Sequence, residues 1–139
     1  MNNDRIELSK YRLQKAREDL DNAAINLEND FIKGSINRSY YAIFHAIRAI
    51  LALDLFDSKK HSGIITFFQK NYVSTGKFEV LYSKIVRNAF SIRNKSDYDD
   101  FYIVSRSEAE QQLANAKAFL QHIASYLKEA WGQLEDDEI

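Results

Sequence analysis

Between Asn37 and Leu53 the chain reads NRSYYAIFHAIRAILAL, with apolar positions returning every three or four residues. Tyr40, Ile43, Ile47, Ile50 and Leu51 fall on one stripe of an α-helix. Arg38, Tyr41, His45 and Arg48 recur at spacings of three, four and three and form the neighbouring stripe. A helix that buries one side and carries arginine, tyrosine and histidine on the next predicts a polar cleft between helices. The pattern extends this helix over about Phe31 to Leu53, with Asp30 as a candidate N-cap after a turn at Asn29.

The same period marks four more helices. The first runs from about Asp4 to Glu28, where Ile6, Leu13, Leu20 and Leu27 repeat every seven residues and Ala16 and Ala23 lie between them. Such a narrow seam suits antiparallel bundle packing. A third helix is predicted from about Lys59 to Tyr72, capped by Ser58, with Ile64, Ile65, Phe67 and Phe68 as its core. Ser74-Thr75-Gly76-Lys77 reads as a loop. The fourth helix spans about Phe78 to Ser96, with Phe78, Leu81, Ile85, Ala89 and Ile92 on its buried face. A polar and aromatic connection, DYDDFY, follows from Asp97 to Tyr102. A capping box then opens the fifth helix, pairing Ser105 or Ser107 with Glu108 or Glu110. Ala109, Leu113, Ala116, Leu120, Ile123, Leu127 and Ala130 supply its seam. These elements predict an all-α, up-and-down antiparallel bundle of about five helices. Residues 1–132 form the bundle in this reading, and residues 133–139, with Glu135-Asp136-Asp137-Glu138, form an acidic, flexible tail.

Composition supports the helical reading. The 139 residues include no proline, where ordinary usage of ~5% would place about seven. Gly34, Gly63, Gly76 and Gly132 are the only glycines. No cysteine is present, which excludes disulfides and thiolate metal sites. The start, MNNDRIELSK, lacks the apolar stretch of a signal peptide, and no apolar run is long enough for a membrane span. A cytoplasmic location, with no membrane partner, is the expectation.

The net charge of −1 hides an uneven distribution. Residues 33–106 carry twelve basic and six acidic side chains, whereas the flanking segments are acidic. The central helices can therefore present a positive surface while the whole chain is near neutral.

Metal chemistry is the first candidate to fall. A di-iron bundle needs Glu-x-x-His pairs, yet Ala42, Ser58 and Phe119 stand three residues before His45, His61 and His122. No His-Glu-x-x-His, phosphate loop or dinucleotide fingerprint occurs. No metal and no cofactor are expected.

Two arginine sites and one basic helix start remain. Arg38 and His45 lie seven residues apart, nearly on one helix face and about 10 Å apart along the axis. They can bracket one phosphodiester, the arginine neutralising it and the histidine acting as acid or base. Equally, Arg38 can pair with an acidic neighbour and His45 can bond inside the bundle. The second site is RNKSDY, Arg93 to Tyr98, where Arg93 and Asp97 are placed for a helical ion pair. Arg93, Asn94 and Tyr98 suit a polar pocket or a dimer contact at a helix end. Lys59-Lys60-His61-Ser62-Gly63 opens the third helix and offers either an anion site on free backbone N–H groups or simply solvated lysines.

SINRSYYAIFHAIRAIL, then KKHSGII with a following FF, then RNKSDY before an aromatic connection, resembles small stand-alone HEPN proteins, the higher-eukaryote and prokaryote nucleotide-binding helical domains. The resemblance covers about Glu7 to Leu127. It implies a bundle of four or five helices that forms a homodimer and works beside a minimal nucleotidyltransferase in a toxin–antitoxin-like pair. Active members of the family are metal-independent ribonucleases with an arginine followed, after four to six residues, by a histidine. Arg93 with Asn94 matches the start of that signature, but Asp97 and Tyr98 occupy the stretch where the histidine belongs. The resemblance therefore implies an RNA- or nucleotide-binding module through Arg93, Asn94, Tyr98, Arg38, Tyr41, Lys60 and His61. Two alternatives are a ribonuclease with a degenerate site, drawing on Arg93, Asp97 and His45 or on His61, and a purely structural helical dimer. Tyr98, Phe101 and Tyr102 are the candidate aromatic face for dimerisation.

Overall fold

A computed structural model of the chain describes residues 2–137. Five α-helices account for most of it: α1 (Asn2–Glu28), α2 (Ile32–Leu53), α3 (His61–Phe68), α4 (Val80–Tyr98) and α5 (Arg106–Asp137). A single π-helical segment, Gln69–Val73, prolongs α3, and Gly76 at φ 83° turns the chain toward α4. The expected all-α bundle is what the chain forms. Helix α5 continues past Gly132 as far as Asp137, with Glu135 3.8 Å from Lys10; Glu138 lies outside the described residues.

Side-chain bonds fix the directions of the helices. Arg5 Nη1 donates to the Leu53 carbonyl at 2.7 Å, Ser9 Oγ to that of Ala49 at 2.6 Å, and Ser35 Oγ to that of Ala23 at 2.9 Å. Such pairs arise only when α1 and α2 run antiparallel. Trp131 Nε1 donates to Ser9 Oγ at 2.9 Å, and Arg106 pairs with Asp30 at 2.6 Å, so α5 is antiparallel to α1 as well. Helix α2 packs against α1, α3, α4 and α5. Fourteen of its 22 residues are buried, as a helix with a wide apolar face requires.

The seam of α1 is buried as its heptad spacing predicts, apart from half-buried Leu20. A second stripe, Ser9, Arg12, Ala16, Asp19 and Ala23, is buried beside it. Its small members allow the two backbones close together, and its polar members reach α2. On α4 the buried apolar positions are Ile85, Val86 and Ala89, with Ser83 and Ser96 also buried, whereas Leu81 is exposed and Ile92 half-buried. The face is rotated because α4 meets α2 and α5 along Val86 instead of Leu81. Phe78 is buried but precedes the helix, filling the space between Phe68 and Tyr126.

The capping box forms between Ser105 and Glu108: Ser105 N–H donates to the carboxylate at 3.2 Å, and Glu108 N–H donates to Ser105 Oγ at 3.0 Å. Two other caps differ from expectation. Phe31, not Asp30, precedes α2 and makes no side-chain cap, because Asp30 closes α1 in the left-handed region, at φ 62°. Lys60, not Ser58, is the residue before α3; Ser58 Oγ instead accepts the Lys60 N–H at 3.2 Å.

Leu55 closes α2 in the same way, at φ 56°. Its N–H bonds the Ala52 carbonyl and the next N–H, from Phe56, bonds that of Leu51, both at 3.1 Å. This paired arrangement favours glycine at its left-handed position. Leucine there carries a Cβ penalty, and its side chain is 77% exposed, so little packing offsets it. Leu55→Gly is expected to raise stability by about 0.5–1 kcal/mol, net of the added freedom of the unfolded chain. A urea titration checks this: the midpoint should rise with an unchanged slope.

Candidate nucleotide or RNA site

Arg93 lies one turn before the end of α4. Its Nε is 3.0 Å from Asp97 Oδ2, the ion pair expected from their spacing. The guanidinium carbon lies 5.4 Å from the ring centre of Tyr40, 5.5 Å from that of Tyr41 and 5.8 Å from that of Tyr98. Nη2 donates to Tyr41 Oη at 3.3 Å. The negative faces of three rings and one carboxylate thus hold a cation whose side chain is only 14% exposed.

The start of α3 faces this arginine. His61 Nδ1 is 2.8 Å from Tyr40 Oη, and the imidazole stacks on Phe44 with centroids 4.1 Å apart. Burial lowers the His61 pKa, and the charges of Arg93 and then Arg48 lower it further. The loop before α3 approaches closely at Gly63, where a Cβ would stand 2.6 Å from Ser58 Oγ. A larger residue there would displace the Ser58 side chain, whose Oγ accepts the Lys60 N–H.

Between these elements lies a cavity of about 450 Å³. Tyr41, Lys60, His61, Arg93, Asn94 and Tyr98 all line it, so six residues from three separate sequence motifs meet in one place. Asn94 and Tyr98 also wall an adjoining depression of about 520 Å³, which Phe101 borders. The positive groups Arg93 and Lys60, a neutral imidazole and exposed aromatic faces are suited to a phosphate and a stacked base.

A family model described as HEPN domain matches residues 9–127. The chain belongs to the HEPN family. It is 33% identical over 129 residues to a Methanocaldococcus jannaschii protein named "Putative toxin MJ0605", covering 93% of this chain and 96% of that one. A second protein of that organism, "Putative toxin MJ0142", is 32% identical over 87% of this chain and 82% of its own length. A Thermotoga maritima UPF0332 protein is 28% identical over 91% of this chain and 96% of that one.

The remaining nominated residues of this HEPN domain lie elsewhere. Arg38 and His45 share a helix face as their spacing requires, but Asp19 of α1 sits between them. Arg38 Nη1 is 2.9 Å from Asp19 Oδ1, and His45 Nε2 is 3.7 Å from Asp19 Oδ2. The structure thus replaces the imagined phosphodiester bracket with an internal carboxylate, and neither residue lines the Arg93 cavity. Tyr41 separates the two sites, with Arg38 5.0 Å from its ring centre. Arg48 completes the stripe by pairing with Asp57 at 3.1 Å, which also meets Arg12 at 3.5 Å. Asp97 contacts Arg93 rather than standing free as a base. Among the described residues, no group of three or more His, Asp or Glu side chains is placed to hold a metal ion.

Sequence reasoning missed two contributors. Asp19 was hidden among the acidic residues of α1; its signal was the spacing Ser9, Arg12, Ala16, Asp19, Ala23, a stripe too small and regular for a solvated face. Tyr40 was read only as core, which its ring is, but its hydroxyl reaches His61.

Burial, followed by the charges of Lys15, Arg48, Arg38 and Arg12, lowers the His45 pKa to about 4. His45 is therefore neutral in the folded protein near neutral pH, and its contact with Asp19 is not an ion pair there. A histidine protonated more readily when unfolded favours unfolding as pH falls. Its contribution to stability is complete above its unfolded value of about 6.5 and is lost progressively toward about 4. Asp19, whose pKa is raised chiefly by burial, acts with the opposite sign, and His61 with the same sign as His45. Urea midpoints measured across this range should fall with pH, and His45→Gln should flatten the slope while leaving the His61 part.

Proposed function

We propose that this HEPN protein is a toxin-like module that binds RNA or a nucleotide through the Arg93 cavity. The observation that carries the reading is the convergence of Arg93, His61 and Lys60 on one cavity with Tyr41, Asn94 and Tyr98. Arg93 and Lys60 neutralise phosphate, the exposed ring of Tyr98 offers a stacking face, and Asn94 offers a donor and an acceptor. The two relatives named as toxins support placing the chain in that functional class.

The partner assignments follow from the same reading. The module acts in the cytoplasm as a homodimer beside a minimal nucleotidyltransferase. Of the aromatic face expected for dimerisation, Tyr98 lines the cavity and Tyr102 is half-buried and bonded to Glu108. Phe101 and Ile103, in the connection after α4, are 94 and 87% exposed and are the apolar side chains offered to a second copy. Light scattering at micromolar concentration should give twice the chain mass, and Phe101→Asp should lower it; a monomer mass for the wild type sinks the dimer.

One observation favours ribonuclease activity as a second reading. His61, from α3, lines the cavity of Arg93 although no histidine follows Arg93 in the chain. In this second reading His61, from another helix, would stand in for the histidine of the family signature.

Binding to a single-stranded RNA oligonucleotide, read by fluorescence anisotropy, tests the main reading. Affinity should fall steeply between about 50 and about 200 mM salt. Arg93→Ala should weaken it about tenfold or more, and Lys60→Ala by less. Salt-independent binding, or full affinity in Arg93→Ala, rejects the site. Metal-independent cleavage that disappears in both Arg93→Ala and His61→Ala would establish the ribonuclease; no cleavage by the wild type would eliminate it.

A further inference from the structure

We propose that Tyr40 is a positioning residue that turns His61 into a hydrogen-bond donor toward the Arg93 cavity, so that the cavity favours a ligand group that accepts, such as a phosphate oxygen. The inference rests on the reading of that cavity as a phosphate-binding site and specifies how the site recognises its ligand.

Two contacts define the imidazole. Stacking on Phe44, at 4.1 Å and 24°, fixes the plane of the ring, and the Tyr41 ring meets it edge-on at 90°. Stacking alone leaves two ring orientations related by a half-turn. The 2.8 Å bond to Tyr40 selects one of them, with Nδ1 toward the core. Because His61 lines the cavity, Nε2 is the nitrogen it offers there.

The direction of that bond follows from burial. Tyr40 is 2% exposed, and its ring is surrounded by Tyr41, Phe44, Phe90 and the Arg93 guanidinium. Rings and a cation supply no good acceptor for a phenolic proton. If His61 Nδ1 carried the hydrogen and donated it, the Tyr40 O–H would be a buried donor left without its partner, which is strongly unfavourable. Tyr40 therefore donates, Nδ1 accepts, and the neutral imidazole carries its proton on Nε2.

Both members of the pair stay uncharged near neutral pH. Burial lowers the His61 pKa and raises that of Tyr40, so neither imidazolium nor phenolate is favoured. His61 thus enters the cavity as a neutral N–H donor beside the cationic donors of Arg93 and Lys60. In this tautomer Nε2 has no lone pair with which to accept a proton, so the site is built to bind a phosphate and not to abstract a proton from it. A base N–H directed at Nε2 would meet a donor and be rejected, whereas any oxygen with a free lone pair can accept from it.

Nitrogen-15 NMR of histidine-labelled protein at neutral pH tests the tautomer without any ligand. Wild-type His61 should show a single neutral form protonated on Nε2, and Tyr40→Phe should show a mixture of both tautomers. Finding the proton on Nδ1 in the wild type, or the same single tautomer in Tyr40→Phe, would overturn the proposal. Binding of a single-stranded RNA oligonucleotide supplies the second readout. His61→Gln, which can still present an N–H, should bind within about threefold of wild type, whereas His61→Ala should lose about tenfold, equal to about 1.4 kcal/mol. Equal affinity of wild type and His61→Ala rejects the donor role. Arg93→Ala separates the two levels: if it binds RNA as tightly as wild type, the cavity is not the phosphate site, whatever the tautomer.

Discussion

Everything in this molecule is arranged around the burial of α2. A helix apolar on most of its circumference must be covered on most of its circumference, and α1, α3, α4 and α5 all pack on it. Its polar stripe cannot then face bulk water along its whole length. Tyr41 divides that stripe. Toward α1, Arg38 and His45 meet Asp19; toward α3 and α4, Tyr40 and Tyr41 meet His61 and Arg93. The internal polar cluster and the candidate site are two sides of one packing problem.

The two sides are solved differently. Asp19 is a buried carboxylate whose pKa is raised by desolvation against the pull of Arg38, and burial, followed by the surrounding cations, keeps His45 neutral. That cluster joins α1 to α2 through Asp19. Arg93 is held by one half-buried carboxylate and by aromatic faces, which stabilise a cation without neutralising it. Its charge is shared with a cavity open to a ligand. The contrast explains why two arginines on similar-looking motifs have unlike fates.

The departure from the family signature has a geometric counterpart. A histidine a few residues after an arginine and a histidine at the start of another helix can reach the same space, because proximity in a bundle is set by packing and not by chain distance. His61 reaches the cavity of Arg93 from α3, and its bond to Tyr40 orients it. The close approach at Gly63 leaves room for the Ser58 side chain that holds the turn before His61.

The sequence by itself determined the five helices, the antiparallel order and the residues that carry charge. Periodicity records which side of a helix is apolar, and chain breakers and the Ser105–Glu108 capping box record where helices stop and start. Lys60, His61, Arg93, Asn94, Tyr41 and Tyr98 were legible as chemistry-bearing side chains for the same reason: each stood out against its local pattern. Only the tertiary structure decided that these six share a cavity and that Arg38 and His45 do not. It also revealed Asp19 and the hydroxyl of Tyr40, whose partners lie 19 and 21 residues away on other helices. Spacing along one helix predicts which side chains share its face. Which carboxylate, ring or hydroxyl arrives on that face from a neighbouring helix depends on the rotation and offset at which the two pack, and no periodicity within either helix encodes that.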